Sequence, residues 1–144
     1  FQFFIDHDPQ VNYFSFDETM MPQLKRMAAF DYVVNNADRK GGHCLVDCDG
    51  HLWGIDHGIT FNAVHKLRTV IWDFAGQPIS EPLLTDIARL CATLEDSTSA
   101  YTQAMHKLLS PAENRAFQNR LRHLLKHKRY PQPGPGPNYP WPPV

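Results

Sequence analysis

The order of apolar and polar residues outlines the elements. FQFFI (residues 1–5) is a mostly apolar run of strand length, and DHDPQ breaks it at Pro9. NYFSF (residues 12–16) reads as a short extended piece. Across residues 22–34, Leu24, Met27, Ala28, Phe30, Val33 and Val34 recur at helical spacing. Pro22 suits the first turn of that helix, and Asn35 and Asn36 suit its end because Asn tolerates the left-handed conformation. HCLV and HLWGI flank DCDG, where Asp49-Gly50 is a turn signal, so a hairpin is expected. LRTVIWDF (residues 67–74) predicts one more extended segment before Gly76 and Pro78 interrupt the chain.

From Pro82 onward the period is helical. Helices are expected over residues 82–94 and 98–109, then from SPAE to about residue 128. In SPAE, Ser110 caps, Pro111 takes the first helical position and Glu113 reaches back. The tail YPQPGPGPNYPWPPV can neither continue a helix nor enter a sheet interior. It is expected to be polyproline-like or disordered, with Tyr139 and Trp141 as the side chains able to anchor it. Together these elements predict an α+β fold, mostly helical, with one short hairpin.

Composition narrows the picture a little. A chain of 144 residues is a plausible single domain with a modest core. The formal charge of −1 gives no reason to expect a nucleic-acid partner. Cys44, Cys48 and Cys91 form no disulfide framework. Spacing alone allows zinc on His43, Cys44 and Cys48, but buried thiols in a reducing cytoplasm are the expected reading. No apolar run approaches the length of a membrane span. Between residues 115 and 129 stand Arg115, Arg120, Arg122, Lys126, Lys128 and Arg129 with no acid. The expected role is a solvated helix face, with peripheral contact to anionic lipid as the functional alternative. Leu121, Leu124 and Leu125 are expected to pack inward.

The chemistry lies at the two ends of the hairpin. Before it comes NNADRKGGH (residues 35–43), and after it GIDHG (residues 54–58). Phosphoryl transfer needs a carboxylate to accept the nucleophile's proton and further ligands to hold magnesium on the phosphates. Protein kinases supply these from Asp-x-x-x-x-Asn and a later Asp-Phe-Gly. Here Asp38 stands as the base, His43 where Asn is expected, and Asp56-His57-Gly58 as the later triplet. Each Asp alone is an ordinary turn residue. Their joint placement across a hairpin favours one site. His51, His57 and His65 are scattered singly and read as polar surface groups.

FDYVVNNADR followed by GIDHGITF resembles the catalytic and metal-binding loops of the phosphatidylinositol 3/4-kinase-like families. It is similar to type II phosphatidylinositol 4-kinases and to bacterial toxin kinases with a related Asn-x-Asp-Arg loop. The stretch as a whole looks most like an actinobacterial branch. The resemblance is strong over roughly residues 24–76. It implies Asp38 as catalytic base with Arg39 as its partner and Asp56 as metal ligand. It further implies Gly58 as the glycine of the metal loop and Asn36 as the Asn before the catalytic pair, both counted with His43 on the cofactor-binding side. The implied cofactors are ATP and magnesium, with manganese possible if His43 ligates, since magnesium prefers oxygen. His43 either binds the metal or fills the loop.

The resemblance also implies a division of the chain. Residues 1–16 would end an N-terminal lobe and form its hinge, residues 17–129 would be a kinase-like C-terminal lobe, and residues 130–144 the Pro-rich tail. A Gly-rich loop and a strand Lys are expected from a lobe lying outside this chain, and these residues alone are expected to bind ATP feebly. The expected function is ATP-dependent phosphotransfer in the cytoplasm to a lipid, protein or small molecule. The alternative is a pseudokinase or interaction module that keeps the fold without turnover.

Overall fold

The structure is a computed structural model that describes residues 4–144. Helix α1 spans Met21–Val34, α2 Glu81–Glu95, α3 Ala100–Leu108 and α4 Pro111–His127. Strands β1 (Cys44–Val46) and β2 (Leu52–Gly54) pair antiparallel, with Leu45 opposite Trp53. The fold is α+β and mostly helical, with one hairpin, as the pattern predicts. No described helix is long and apolar enough to cross a membrane.

The helices build the core. Leu24 and Val33 of α1, Leu84, Ile87 and Cys91 of α2, and Phe117, Leu121 and Leu124 of α4 form one buried cluster. Leu125 is partly buried against it. The α4 capping box forms in both directions: Ser110 N–H donates to Glu113 at 2.8 Å, and Glu113 N–H to the Ser110 hydroxyl at 3.3 Å. Helix α1 ends at Asn35, which is left-handed at φ 56°. The same Asn35 is fully buried and holds a neighbouring segment. Its amide donates to the carbonyls of Asn62 and Val64 and accepts from Lys66 N–H. One residue thus stops the helix and pins the chain that follows Asp56.

Four expectations change. Residues 1–3 of the expected first strand lie outside the described residues, and Phe4 and Ile5 belong to no strand. The next segment is a 3-10 turn over Tyr13–Ser15, not an extended piece, because the Asn12 side chain caps Phe14 N–H. LRTVIWDF forms no strand either. Leu67, Val70, Ile71 and Phe74 are buried, but the segment pairs with a loop, through Arg39 N–H to Arg68 O and Val70 N–H to Arg39 O, both at 3.0 Å. The tail lies against the body through the buried Tyr130, whose hydroxyl donates to Lys25 O at 3.0 Å, and then through its backbone. Asn138 O accepts from Thr69 N–H and the Trp72 indole, and Pro143 O from Gly41 N–H. Tyr139 and Trp141 are exposed and are not its anchors.

The cysteines divide. Cys44 and Cys91 are buried, as expected of inert thiols, whereas Cys48 is exposed in the hairpin turn. Burial raises the Cys44 thiol to about 12.

Candidate functional site

The loop after α1 is shaped from beneath by a carboxylate that the sequence pattern does not reveal. Asp31, on α1, is fully buried. It accepts from the Asn36 amide at 2.9 Å and from Arg39 Nε at 3.0 Å and 3.2 Å on its two oxygens. Asn36 in turn accepts Asp38 N–H at 3.0 Å. Both ends of Asn36 are therefore used internally, and its place in the structure is that of a loop-shaping residue.

Arg39 is fully buried as well, and all its donors are engaged. Besides Asp31 it reaches the carbonyls of His43 and Ile55, both at 3.1 Å. Its remaining terminal nitrogen meets His57 Nε2 at 2.7 Å. A single guanidinium thus ties α1, the loop before β1 and the loop after β2 together. It positions both loops and is not itself open to a ligand. Gly54 leaves room for this contact: a Cβ there would sit a tight 3.2 Å from Arg39, His57 and Met27 atoms alike. Gly41 has a similar function, since a Cβ would meet the Phe14 ring at 2.6 Å.

What remains open above this scaffold is Asp38, Lys40, His43 and Asp56. The Asp38 side chain is 28% exposed, and its partner is Lys40 Nζ at a long 3.9 Å. His43 is 14% exposed and Asp56 62%. His43 Nδ1 lies 2.9 Å from the Asp38 carbonyl, which can only accept, and a longer 3.5 Å from Lys40 N–H; the shorter contact decides that Nδ1 carries the proton. His43 Nε2 then faces the Asp56 carboxylate at 3.6 Å. Asp56 adopts φ 54°, a conformation an Asp tolerates better than most residues. Gly58 has ordinary room, its nearest neighbour being Asp56 Oδ1 at 3.6 Å from a built Cβ. Among the described residues no three His, Cys, Asp or Glu side chains gather around a common point, so zinc on His43, Cys44 and Cys48 is not formed.

His57 departs from its expected role as a surface group. Arg39 has no acceptor, so His57 Nε2 must accept and the ring must be neutral. Burial, and then the Arg39 charge, hold its pKa below the usual imidazole value. His65 and His123, though exposed on one side, are lowered too, each chiefly by partial desolvation of its ring. The unfolded chain therefore binds more protons than the folded one in weak acid. Folding stability should be full above about pH 6.5 and decline as pH falls toward the folded-state values, then level off. Thermal melts near pH 7.5 and near pH 5.5 should show a lower Tm at the acid value, and His57→Gln, which keeps an acceptor for Arg39, should reduce the difference. Equal melting temperatures at both would contradict this account.

A concavity of about 510 Å³ lies elsewhere, among α1, β2 and α2. Its lining includes Arg39 and His57 but not Asp38, His43 or Asp56. Asp56 stands on the surface, and Asp38 is partly buried in the loop before β1.

Known proteins place this arrangement. The phosphatidylinositol 3- and 4-kinase family model matches residues 1–126. Protein Rv2133c of Mycobacterium tuberculosis is 40% identical over 120 residues, which is 83% of this chain and 42% of the relative. The chain thus spans less than half the length of that curated relative. No solved structure matches. A match over nearly the whole helical body, across both polar loops and the hairpin between them, means that the chain belongs to the phosphatidylinositol 3- and 4-kinase family.

Proposed function

We propose that these residues form the catalytic and metal-binding loops of an ATP-dependent phosphotransferase, with Asp38 as general base and Asp56 and His43 as ligands of a divalent cation. The observation that carries the reading is the orientation of His43. Its Nδ1–H is held by the Asp38 carbonyl while Nε2 faces the Asp56 carboxylate at 3.6 Å. Histidines that bind metals characteristically donate their other ring N–H to a carbonyl or carboxylate in this way.

The residues present fit a cation that takes the rest of its ligands from phosphate oxygens and water, the usual condition of magnesium in nucleotide sites. The chemistry such an ion supplies, when bound, is neutralisation of charge on the transferring phosphate. Asp38 accepts the proton of the attacking hydroxyl at its carboxylate. Lys40 leaves that carboxylate largely free, because their contact is long and partly solvated. Arg39 and Asp31 hold the two loops at fixed separation, so that base and ligands keep their relation as a nucleotide arrives. The acceptor is a lipid, a protein or a small molecule bearing a hydroxyl.

Metal choice tests the assignment of His43 and Asp56. In the full-length protein with ATP present, a site with one imidazole should prefer manganese over magnesium more than an all-oxygen site does. His43→Asn should return the preference toward magnesium. Asp56→Asn should weaken metal-dependent nucleotide binding by roughly tenfold or more. Titration of each protein with each metal measures both effects. Curves for His43→Asn that overlay the parent would remove His43 from the site and leave its contact with Asp56 a plain ion pair.

A further inference from the structure

Helix α4 carries an arginine where its own spacing calls for an apolar residue. Arg120 falls on the same face as Phe117, Leu121 and Leu124 and is 7% exposed. It is thus not part of the solvated basic face to which the run of cations would assign it. Its Nε donates to Val33 O at 2.8 Å and one terminal nitrogen to Asn62 O at 3.4 Å. The other terminal nitrogen is buried without a hydrogen-bond partner. Among the described residues Arg120 has no ion pair. Buried cations are ordinarily paired and buried N–H groups ordinarily bonded, so this guanidinium lacks an anion on both counts.

The space beside it has the matching chemistry. Arg120 borders a recess of about 320 Å³, together with Tyr32, His65, Asn119 and His123. Each of these side chains can donate a hydrogen bond, and no Asp or Glu lines the recess. The rings of His65 and His123 flank Tyr32, with centroids 6.3 Å and 5.9 Å from its own. The volume lies at the lower end of small-molecule sites.

We propose that this recess is a second anion site that takes a phosphate group, with the unpartnered Arg120 nitrogen as its fixed charge and Tyr32, His65, Asn119 and His123 as surrounding donors. A tetrahedral oxyanion offers acceptors in several directions at once, which suits convergent donors better than a planar carboxylate does. His65 and His123 line the recess from exposed positions, beside the buried Arg120. The site is distinct from Asp38 and Asp56 but connected to their scaffold. The Asn62 carbonyl held by Arg120 is also held by the Asn35 amide at 2.8 Å. A phosphate here would therefore steady the segment that follows Asp56. Its source is either a soluble phosphomonoester, inorganic phosphate included, or a phosphomonoester lipid headgroup.

The test uses the full-length protein in chelator, so that no divalent ion at His43 and Asp56 can bind the probe. Sulfate and inorganic phosphate are titrated while the histidine ring resonances are followed by NMR. The expected result is saturable binding that shifts the His65 and His123 signals, with acetate much weaker. Asn119→Asp places a carboxylate on an exposed position facing the recess. It should leave the fold intact and weaken phosphate binding tenfold or more. Tyr32→Phe should weaken it less, and Arg120→Gln should abolish it if the chain still folds. Vesicles of phosphatidic acid, against phosphatidylcholine alone, separate the sources. Recruitment that inorganic phosphate displaces supports a lipid-borne phosphate; soluble binding without recruitment supports a free one. No saturable binding, equal binding of acetate, or a phosphate affinity that Asn119→Asp leaves unchanged would each overturn the site.

Discussion

Arg39→Ala should unfold the full-length protein at much lower urea concentration than the parent, with a loss of about 3–5 kcal/mol. Removal of the guanidinium strands the Asp31 carboxylate, which is fully buried and takes three of its hydrogen bonds from Arg39. It also releases the carbonyls of His43 and Ile55, which fix the two ends of the hairpin. A loss of that size is a large share of the 5–15 kcal/mol net stability of an ordinary domain. Asp31→Ala should do comparable damage from the other side, by leaving a buried cation. The double variant Asp31→Leu with Arg39→Met should recover part of the stability, since apolar residues can replace a buried ion pair at little net cost. It should not recover phosphotransfer, because the loops would lose their common tie. An unchanged urea midpoint for Arg39→Ala would show that the pair neither stabilises the fold nor positions the loops.

Much of this arrangement can be read from the chain alone, and the parts that cannot share a cause. The helix over residues 22–34 is found as Met21–Val34 because apolar spacing, Pro22 and Asn35 all point the same way. The hairpin is found for the same reason, its turn marked by Gly50 at φ 78°. Asp38, His43 and Asp56 are visible as polar residues at the hairpin's ends, and the structure brings His43 to Asp56 and the Asp38 backbone. The misses are residues whose partners are distant in sequence. Asp31 looks like a solvent position until Arg39 is placed over it; its one local signal is an isolated acid between Phe30 and Tyr32 in an apolar run. Gly54 matters because three side chains converge where its Cβ would be. Arg120 hides in a basic run, though its spacing from Phe117 and Leu124 marks the inner face. Tyr130 anchors the start of the tail in the core, and beyond it the contacts to the body come largely from backbone carbonyls, which no side-chain pattern encodes.

Asp38→Asn should reduce phosphotransfer by the full-length protein by roughly 10²–10⁴-fold, the usual loss when a general base is removed. That corresponds to about 3–5 kcal/mol at the transition state. The structure gives reason to expect the change to be confined to chemistry. Asn has the shape of Asp, and the backbone groups that set the loop are untouched: Asp38 N–H stays on Asn36, and the Asp38 carbonyl stays on His43. The lost contact is the long pair with Lys40, partly solvated and of little worth to stability. Urea midpoint and metal-dependent nucleotide binding should therefore match the parent while kcat falls and KM for ATP barely moves. Lys40→Met is the companion measurement, because it removes the same pair and keeps the base. It should retain most of the turnover. ATP consumption and phosphate transfer by the three proteins separate the readings. If Asp38→Asn turned over at the parent rate, Asp38 would not be the base. If the parent bound metal and nucleotide but transferred no phosphate, the chain would be a pseudokinase built on intact loops, and the role of Asp38 would be the backbone one, holding His43 against Asp56.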